Sequence, residues 1–398
     1  MKLNQAVSRR SFLKKAAGGA ALLSTLPMGF RAWGQDSITA GYVFLTTPGD
    51  AGWTFRHDLG RQFAENNIEG VSVNSLTVEG VADADAGAAV QNLVNAGSQI
   101  VFATSFGFLS GTQEVAAANE GLFFEHCSGF TTQAPNMGAY FGRMYQARYL
   151  SGIVAGLMTE TNQLGYVAAI PIPEVIRIAN AFYLGALSVN PDVTMQITAL
   201  GSFFDPGLAR EQANALIDDG ADVVTMHEDT PSVPQAAEDR GVFSVSYQSD
   251  MSSFARQSHI TGVEWNWGPY YLNTLELVRD GEWSVRNVWS GFEDTSFVAP
   301  LVGLVNGTGG GDSGLINEEL IASVRSEAKV TEILDAVTAA QAALDASENA
   351  GNDVVFGGAL LDAETGDTLP DAPTDDDLLS MDFPVAGVTG ESFFSFFG

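Results

Sequence analysis

Short apolar runs alternate with amphipathic segments along most of the chain after residue 36. In the amphipathic segments, apolar residues such as Phe55, Leu59 and Phe63 recur at the spacing of a helix with one buried face. The first series of runs predicts strands and helices in alternation. The predicted strands are Ile38–Thr46, Val71–Val78, Ile100–Thr104 and Leu122–His126, and the predicted helices between them are Trp53–Asn66, Asp83–Ala96 and Gly111–Asn119.

A longer element, from Tyr140 to Met158, leads into a second series of the same kind. Its predicted strands are Leu164–Ile170, Thr194–Leu200, Asp222–His227 and Val242–Ser246, and its predicted helices are Pro173–Val189, Gly207–Asp218 and Ser232–Glu238. Strands that alternate with helices form right-handed βαβ units and parallel sheets. Two such series predict an α/β protein with two similar lobes.

The run from Ser347 to Gly398 has a different composition, rich in Gly, Asp and Thr, with an acidic cluster at 375–377. Composition alone is compatible with a disordered acidic tail. Apolar residues such as Phe356, Leu378 and Met381 recur within it, however, and favour burial. We therefore expect an ordered segment that wraps around the lobes up to about Gly390, with a loose Phe-rich end.

The charge balance changes the picture of partners and environment. The chain has 398 residues, with 18 Lys and Arg against 48 Asp and Glu, a formal net charge of −30. Nucleic acid is not an expected partner, because phosphate contacts need a basic surface. Six basic and no acidic residues precede position 35, so residues 35–398 carry 12 basic and 48 acidic groups, a charge of −36. This surface favours a halophilic protein of a salt-rich environment, with an ordinary acidic protein as the alternative.

The first 34 residues have the pattern of an export signal. Arg9 and Arg10 precede Ser-Phe-Leu and a stretch of small and apolar residues over 16–26, which is typical of a twin-arginine signal. Residues 32–34 supply a cleavage site, so the mature chain is expected to start near Gln35 in the periplasm. The single cysteine, Cys127, lies far from that site, so no lipid anchor, intramolecular disulfide or Cys-built zinc site is expected.

Candidate ligand-binding residues stand where the predicted strands end, because open α/β sheets bind ligands at the carboxyl ends of their strands. They combine aromatic rings with a few polar groups and lack a nucleophile paired with a base, which is the makeup of a binding pocket. The candidates are Asp50, Trp53, Thr54, Phe106, His126, Ile172, His227, Asp250, Trp265, Asn266 and Trp267. No catalytic residue, metal or cofactor is expected.

Several of these residues also fit a purely structural role. Trp53, at the start of a predicted helix, is compatible with an ordinary core residue. His126 and His227 are compatible with structural residues that form hydrogen bonds at the ends of strands. His227 with Glu228 and Asp229 is an alternative metal cluster, which no His-x-x-x-His or Glu-x-x-His pair supports. His126 cannot activate Cys127, because adjacent strand residues point to opposite faces.

Five segments in order resemble the basic membrane protein family of ABC-transporter substrate-binding proteins, also called the purine nucleoside receptor type. The segments are Gly52-Trp53-Thr54-Phe55-Arg56-His57-Asp58-Leu59-Gly60, Arg143-Met144-Tyr145-Gln146-Ala147-Arg148-Tyr149-Leu150-Ser151-Gly152, Ile170-Pro171-Ile172-Pro173-Glu174-Val175-Ile176-Arg177, Ser249-Asp250-Met251 and Leu379-Ser380-Met381-Asp382-Phe383-Pro384-Val385-Ala386-Gly387-Val388. The resemblance runs from about residue 38 to 390. It implies a type I periplasmic-binding fold, in which two α/β lobes clamp a ligand.

The resemblance also implies how the ligand is held. Nucleoside-binding members stack a purine between aromatic rings and use carboxylates and a lysine to hold the base edge and the sugar. Trp53 stands at the first-lobe aromatic position, Asp250 at the second-lobe carboxylate, and His126 at a further carboxylate position. Trp265, Asn266 and Trp267 occupy the region where the lysine is expected. These departures favour a bare purine base, or another flat neutral ring, over a nucleoside.

The sequence thus predicts a monomeric periplasmic binding protein that delivers a purine base or nucleoside to an ABC permease in the inner membrane. The expected lobes are 35–143 plus 264–292 and 144–263 plus 293–342, followed by the wrap-around segment 343–398. A ligand-sensing receptor of the same fold is the nearest alternative. A secreted hydrolase that uses His126 or His227 as general base is a more distant one.

Overall fold

Two sheets organise the protein, and the computed structural model describes them through residues 37–128, 134–294, 300–304 and 316–394. The first sheet has the strand order β11-β5-β4-β3-β1-β2, and all of its neighbouring strands are parallel. Its strands are β1 (Ser37–Val43), β2 (Ser72–Val78), β3 (Ile100–Ala103), β4 (Phe123–Cys127), β5 (Met137–Gly142) and β11 (Asn287–Ser290). The predicted export signal and cleavage site lie outside the described residues.

The second sheet has the order β12-β10-β9-β8-β6-β7-β13 and is parallel except where β12 pairs with β10. Its strands are β6 (Gln163–Ala168), β7 (Thr194–Ala199), β8 (Val223–His227), β9 (Phe243–Ser246), β10 (His259–Trp265), β12 (Val302–Leu304) and β13 (Val388–Thr389). The two sheets of parallel strands confirm the predicted α/β class.

Helices connect the strands. They are α1 (Trp53–Asn67), α2 (Ala86–Asn95), α3 (Leu109–Ala118), α4 (Met144–Met158), α5 (Pro173–Val189), α6 (Pro206–Asp218), α7 (Ser232–Arg240), α8 (Gly268–Asp280), α9 (Glu318–Val324), α10 (Glu327–Ala346), α11 (Asn352–Phe356), α12 (Asp375–Leu379) and α13 (Glu391–Phe394). Short 3-10 turns precede α2 and α3. Among the described residues, no helix has the length and apolar character that crossing a bilayer requires.

Both faces of the first sheet are covered, which explains why its central strands lack polar alternation. Tyr42 and Val43 are neighbours on β1, and both are fully buried. The Tyr42 ring contacts Tyr271 of α8 at 5.4 Å between centroids, whereas Val43 packs with Val90 of α2 on the opposite face. Edge strand β2, by contrast, is partly exposed along its length.

The element predicted over Tyr140–Met158 is two elements in the structure. Strand β5 ends at Gly142, and α4 begins at Met144. The break lies at Arg143, whose backbone amide donates to the carbonyl of Ser290 on the neighbouring strand. The hydrophobic pattern could not separate the two elements. Strand β5 is entirely buried, so its sequence lacks the polar alternation that would distinguish it from the apolar helix that follows.

Helices α4 and α5 approach each other closely because each presents a glycine. A Cβ on Gly152 of α4 would lie 1.9 Å from the carbonyl oxygen of Phe182, and one on Gly185 of α5 would lie 1.9 Å from that of Tyr149. No side chain fits at either position. This contact fixes α5, whose first turn carries residues of the candidate site described below.

The segment after α10 runs along α5 to the edge of the second sheet. Arg177 of α5 donates to the carbonyl of Leu378, Asn180 donates to that of Phe383, and Val388 pairs with Met195 of β7. Leu378, Met381 and Val385 are buried there. The acidic cluster begins α12 with a capping box at Thr374, so three carboxylates lie at a helix N-terminus, where the helix dipole favours them.

Candidate ligand-binding site

Two adjoining cavities lie at the carboxyl ends of the strands, with walls from both sheets. The larger has a volume of about 260 Å³ and the smaller of about 30 Å³. Phe106, Ser128 and Glu174 line both of them, so the two cavities adjoin at these residues. The larger is also lined by Phe141, Ile172, Pro173, Arg177, Asn287, Val288, Trp289, Asp375 and Leu379, and the smaller by Leu45, Trp53, Ser105, Phe203, His227, Asp229 and Gln248.

Trp53 is the first residue of α1 and a wall of the smaller cavity. Its indole Nε1 donates to the carbonyl of Thr104 at the end of β3 (2.6 Å). Its ring meets that of Trp265 edge to face, with 5.5 Å between centroids. A rigid aromatic surface therefore stands at the strand ends, as stacking on a flat ligand requires.

The second sheet reaches the start of α1 directly. The carboxylate of Asp229, which follows β8, accepts a hydrogen bond from the backbone amide of Trp53, and Ser249 Oγ accepts one from Gly52 (2.8 Å). Gly52 has a φ of +94°, and a Cβ there would overlap the Asp229 carboxylate. Burial raises the pKa of Asp229 to about 7, and the Trp53 amide partly offsets that shift.

A second contact between the sheets lies one turn further along α1. Arg56 forms a buried ion pair with Glu264 of β10 (3.2 Å) and donates from Nε to the carbonyl of Trp265 (2.5 Å). Burial lowers the pKa of Arg56 and raises that of Glu264, and each charge partly offsets the shift of the other. Helix α1 is thus held to the second sheet at both Trp53 and Arg56.

His227 and Glu174 form the polar side of the smaller cavity. His227 Nε2 lies 3.7 Å from a Glu174 oxygen, and its ring packs on Tyr247 with 4.3 Å between centroids. Burial lowers the pKa of His227, although Glu174 opposes the shift, so the imidazole is neutral near pH 7. A neutral imidazole beside a carboxylate can present a donor or an acceptor to a ligand.

Of the predicted site residues, the structure brings four to the cavities. Trp53 and His227 line the smaller cavity, Ile172 lines the larger, and Phe106 lines both. His227 ends a predicted strand, and the other three lie in the connections that follow predicted strands, where the carboxyl-end rule places ligands.

Trp265 and Trp267 line neither cavity and are fully buried. Their rings stack on each other with 4.6 Å between centroids and an angle of 13°, and Trp267 also stacks on His57. Asn266 between them donates to the carbonyl of Pro300 (3.2 Å) and, with Trp267, borders a separate groove beside α1. The indoles therefore form the core of the junction between the sheets.

The remaining predicted residues also lie outside the two cavities. Thr54 is buried and accepts from Thr46 Oγ1, and His126 is buried with Nε2 2.9 Å from the Ser105 carbonyl. Asp250 accepts from the backbone amide of Ser252, as a turn-forming residue does, and Asp50 is exposed.

Sequence reasoning did not select Arg177, Asp229, Gln248 or Trp289 as ligand-binding residues. The sequence does give a signal for Asp229 and Gln248, because both lie just after the ends of predicted strands. No sequence pattern indicated Arg177 or Trp289, because α5 and β11 reach the cavity only through their packing in the tertiary structure. Among the described residues, no group of three or more His, Cys, Asp or Glu is placed to hold a metal ion.

A family model for PnrA-like ABC transporter substrate-binding proteins, the Bmp family, matches residues 38–296. The chain belongs to this family. It is 38% identical over 268 residues to a purine-binding protein of Brucella abortus, covering 67% of this chain and 76% of that one. It is also 38% identical over 258 residues to a Haloferax volcanii protein provisionally named an ABC transporter glucose-binding protein, covering 65% of each chain.

Solved structures of ABC solute-binding proteins share the fold of this Bmp-family protein. One from Aeropyrum pernix has a TM-score of 0.61 at 20% identity, covering 77% of this chain and 91% of that one. One from Conexibacter woesei has a TM-score of 0.57 at 18% identity, covering 76% and 96%. The fold is the type I periplasmic-binding fold, as the sequence resemblance implied. Proteins of this family bind a small molecule outside the cytoplasm and serve an ABC permease.

Proposed function

We propose that this Bmp-family protein binds a purine base or nucleoside between two lobes and delivers it to its ABC permease. The observation that carries the proposal is the pair of adjoining cavities at the strand ends, which Trp53, Phe106 and Ile172 line together with a few polar groups. The similarity to a purine-binding relative supports the same ligand class. The lobes are 35–143 plus 264–292 and 144–263 plus 293–342, with 343–398 wrapped around them.

Stacking is the main attraction in this proposal. A purine has two flat faces and little charge, so aromatic walls remove it from water without leaving a buried ion unpaired. Offset aromatic pairs add about 0.5–1.5 kcal/mol beyond the burial of area. Trp53 supplies such a face, because its indole is held by Thr104 and its neighbours.

A bare base suits the space better than a nucleoside. Among the described residues that line the cavities, Arg177 is the only cationic one, and none is a lysine. A ribose hydroxyl buried without a partner costs about 1–3 kcal/mol. Two such hydroxyls would weaken binding by roughly 30-fold or more, since about 1.4 kcal/mol is a factor of ten.

Ligand binding favours the closed arrangement of the lobes in this proposal, and the closed form docks on the permease. The contacts of Trp53 with Asp229 and of Arg56 with Glu264 hold the sheets in that arrangement. The protein reaches the periplasm through its twin-arginine signal and acts there as a monomer. It binds no nucleic acid and carries out no catalysis.

Calorimetry on the mature protein with adenine, adenosine, guanine and guanosine tests the ligand class, and glucose is included because of the Haloferax relative. We expect the bases to bind at least about tenfold more tightly than their nucleosides. Tighter binding of nucleosides would overturn the preference for a base, and binding of glucose alone would overturn the purine assignment.

Trp53 variants test the stacking surface. Trp53→Ala is expected to remove most of the affinity, and Trp53→Phe to retain part of it because a ring remains. Phe63→Ala is the matched control, since Phe63 lies on the same helix and lines neither cavity. Unchanged affinity in Trp53→Ala would remove this surface from the site.

A further inference from the structure

Arg177 lies in the wall of the larger cavity, and its guanidinium is not fully hydrogen-bonded. Only 3% of the residue is exposed. Its Nη1 donates to the carbonyl of Leu378 (2.7 Å), and its Nε is enclosed in the protein without a partner. Among the described residues, Arg177 forms no ion pair, and burial lowers its pKa to about 10. The charge of Glu174 partly offsets that shift. A buried cation that is not hydrogen-bonded to a carboxylate is nevertheless costly unless something else accepts from it.

Two other buried arginines show what distinguishes this one. Arg143 lies over the same Trp289 ring as Arg177, but its donors are used by Asp375 (2.7 and 2.8 Å) and by the Trp289 carbonyl. Arg148 also has free donors, but it is enclosed by three aromatic rings and lines neither cavity. Of the three, only Arg177 lines either cavity, and it does so without a paired carboxylate.

Glu174 lies one helical turn before Arg177 and lines both cavities. Residues three apart on a helix share a face, yet these two form no ion pair with each other, and Glu174 contacts His227 instead (3.7 Å). An ionised carboxylate only accepts hydrogen bonds, and a guanidinium only donates them. The first turn of α5 therefore carries a hydrogen-bond acceptor, the Glu174 carboxylate, and a donor group, the Arg177 guanidinium, on the same face.

We infer that this pair selects a 6-oxopurine, such as hypoxanthine or guanine, over adenine. The O6 and N7 atoms of a 6-oxopurine are both acceptors and match a guanidinium bidentately, whereas adenine presents its N6 amino donor at the same edge. The N1–H of the 6-oxopurine, adjacent to O6, donates to Glu174. Trp289 and Phe141 wall the same cavity and can cover the ring. The inference rests on the proposed function and narrows its ligand.

Calorimetry with hypoxanthine and adenine on the full mature chain measures the selectivity. We expect hypoxanthine to bind at least about tenfold more tightly than adenine in the wild type. Arg177→Met should bring the two dissociation constants within about threefold of each other by weakening hypoxanthine, with adenine as the internal standard for a folded site. Arg210→Met, an arginine on α6 remote from both cavities, should leave the ratio unchanged.

Glu174→Gln is the second variant, because Glu174 makes no hydrogen bond to the wrapped segment that Arg177 holds. An amide can donate to N1 of adenine, so this variant should weaken hypoxanthine, strengthen adenine and lower the ratio at least about tenfold. Purine binding with adenine as tight as hypoxanthine, or a ratio unmoved by both variants, would overturn the inference and leave the proposed function standing. No binding of any purine would overturn both.

Discussion

The backbone amide of Trp53 donates a hydrogen bond to the carboxylate of Asp229, which lies 176 residues further along the chain. Trp53 begins α1, which packs with the first sheet, and Asp229 follows a strand of the second. The first amides of a helix lack partners within it, and Gly52 at the cap position has no side chain to supply one. The second sheet therefore caps a helix that packs with the first.

Loss of this cap is expected to loosen the closed arrangement. Asp229→Ala should lower the free energy of unfolding by about 1 kcal/mol, the typical cost of losing a capping residue. It should also increase the radius of gyration of the ligand-free protein, measured by small-angle scattering. Asp229→Asn is the control, since its amide oxygen can still accept from Trp53. A radius identical in Asp229→Ala and wild type would show that the bond does not hold the lobes together.

The buried carboxyl of Glu125 should contribute stability that rises as the pH falls from about 8 to about 6.5. Burial raises the pKa of Glu125 to about 7, although Tyr270 and Trp283 donate to its carboxylate. The folded state therefore takes up a proton that the unfolded state does not, which contributes roughly 1 kcal/mol over this range. Asp229 contributes in the same direction. Glu125→Gln should show a smaller rise in chemical unfolding, and an equal rise would contradict the assignment.

The buried histidines should oppose this contribution as the pH falls through about 6.5, the ordinary pKa of histidine. Burial lowers the pKa of all four, His57, His126, His227 and His259. The unfolded chain then binds protons before the folded one does, so the histidines contribute a loss of stability as the pH decreases. The Glu125→Gln protein should keep the histidine contribution, so the difference between its unfolding curves and those of the wild type isolates Glu125.

The acidic surface predicts a strong dependence on salt. Residues 35–398 carry a charge of −36, and such self-repulsion weakens as the screening length falls to about 3 Å at 1 M salt. The melting temperature should rise by about 5 °C or more between about 0.1 M and 1 M NaCl. A melting temperature that stays flat or falls in NaCl would refute the role assigned to charge repulsion.

Asp375 should anchor the wrapped segment at the junction of the sheets. Its carboxylate receives two hydrogen bonds from Arg143, whose Nε also donates to the Trp289 carbonyl. Asp375→Ala is expected to cost about 1–2 kcal/mol in urea unfolding, a moderate value because the carboxylate is half-exposed. Asp376→Ala, next to it on the same exposed helix, should change stability by less than about 0.5 kcal/mol. Equal effects of the two variants would contradict an anchoring role.

Much of the fold was predictable because it is encoded locally. Helix α5 has the predicted bounds, since Pro173 marks its first turn and its apolar positions keep helical spacing to Val189. Strand β5 was merged with α4, and β10 and β11 were not identified. Whether a short apolar run becomes a strand depends on a partner such as Ser290, which lies far away in sequence.

The sequence by itself determined the α/β alternation, the acidic surface and the family, and it selected Trp53, Phe106, Ile172 and His227, which line the cavities at the strand ends. The tertiary structure decided which side chains surround the space. Trp265 and Trp267 stack in the core, whereas Arg177, Asp229 and Trp289 reach the cavities. The physical reason is the separation along the chain of the residues that interact. Periodicity records which face of an element is buried, but the partner that buries it is set by packing between residues distant in the chain.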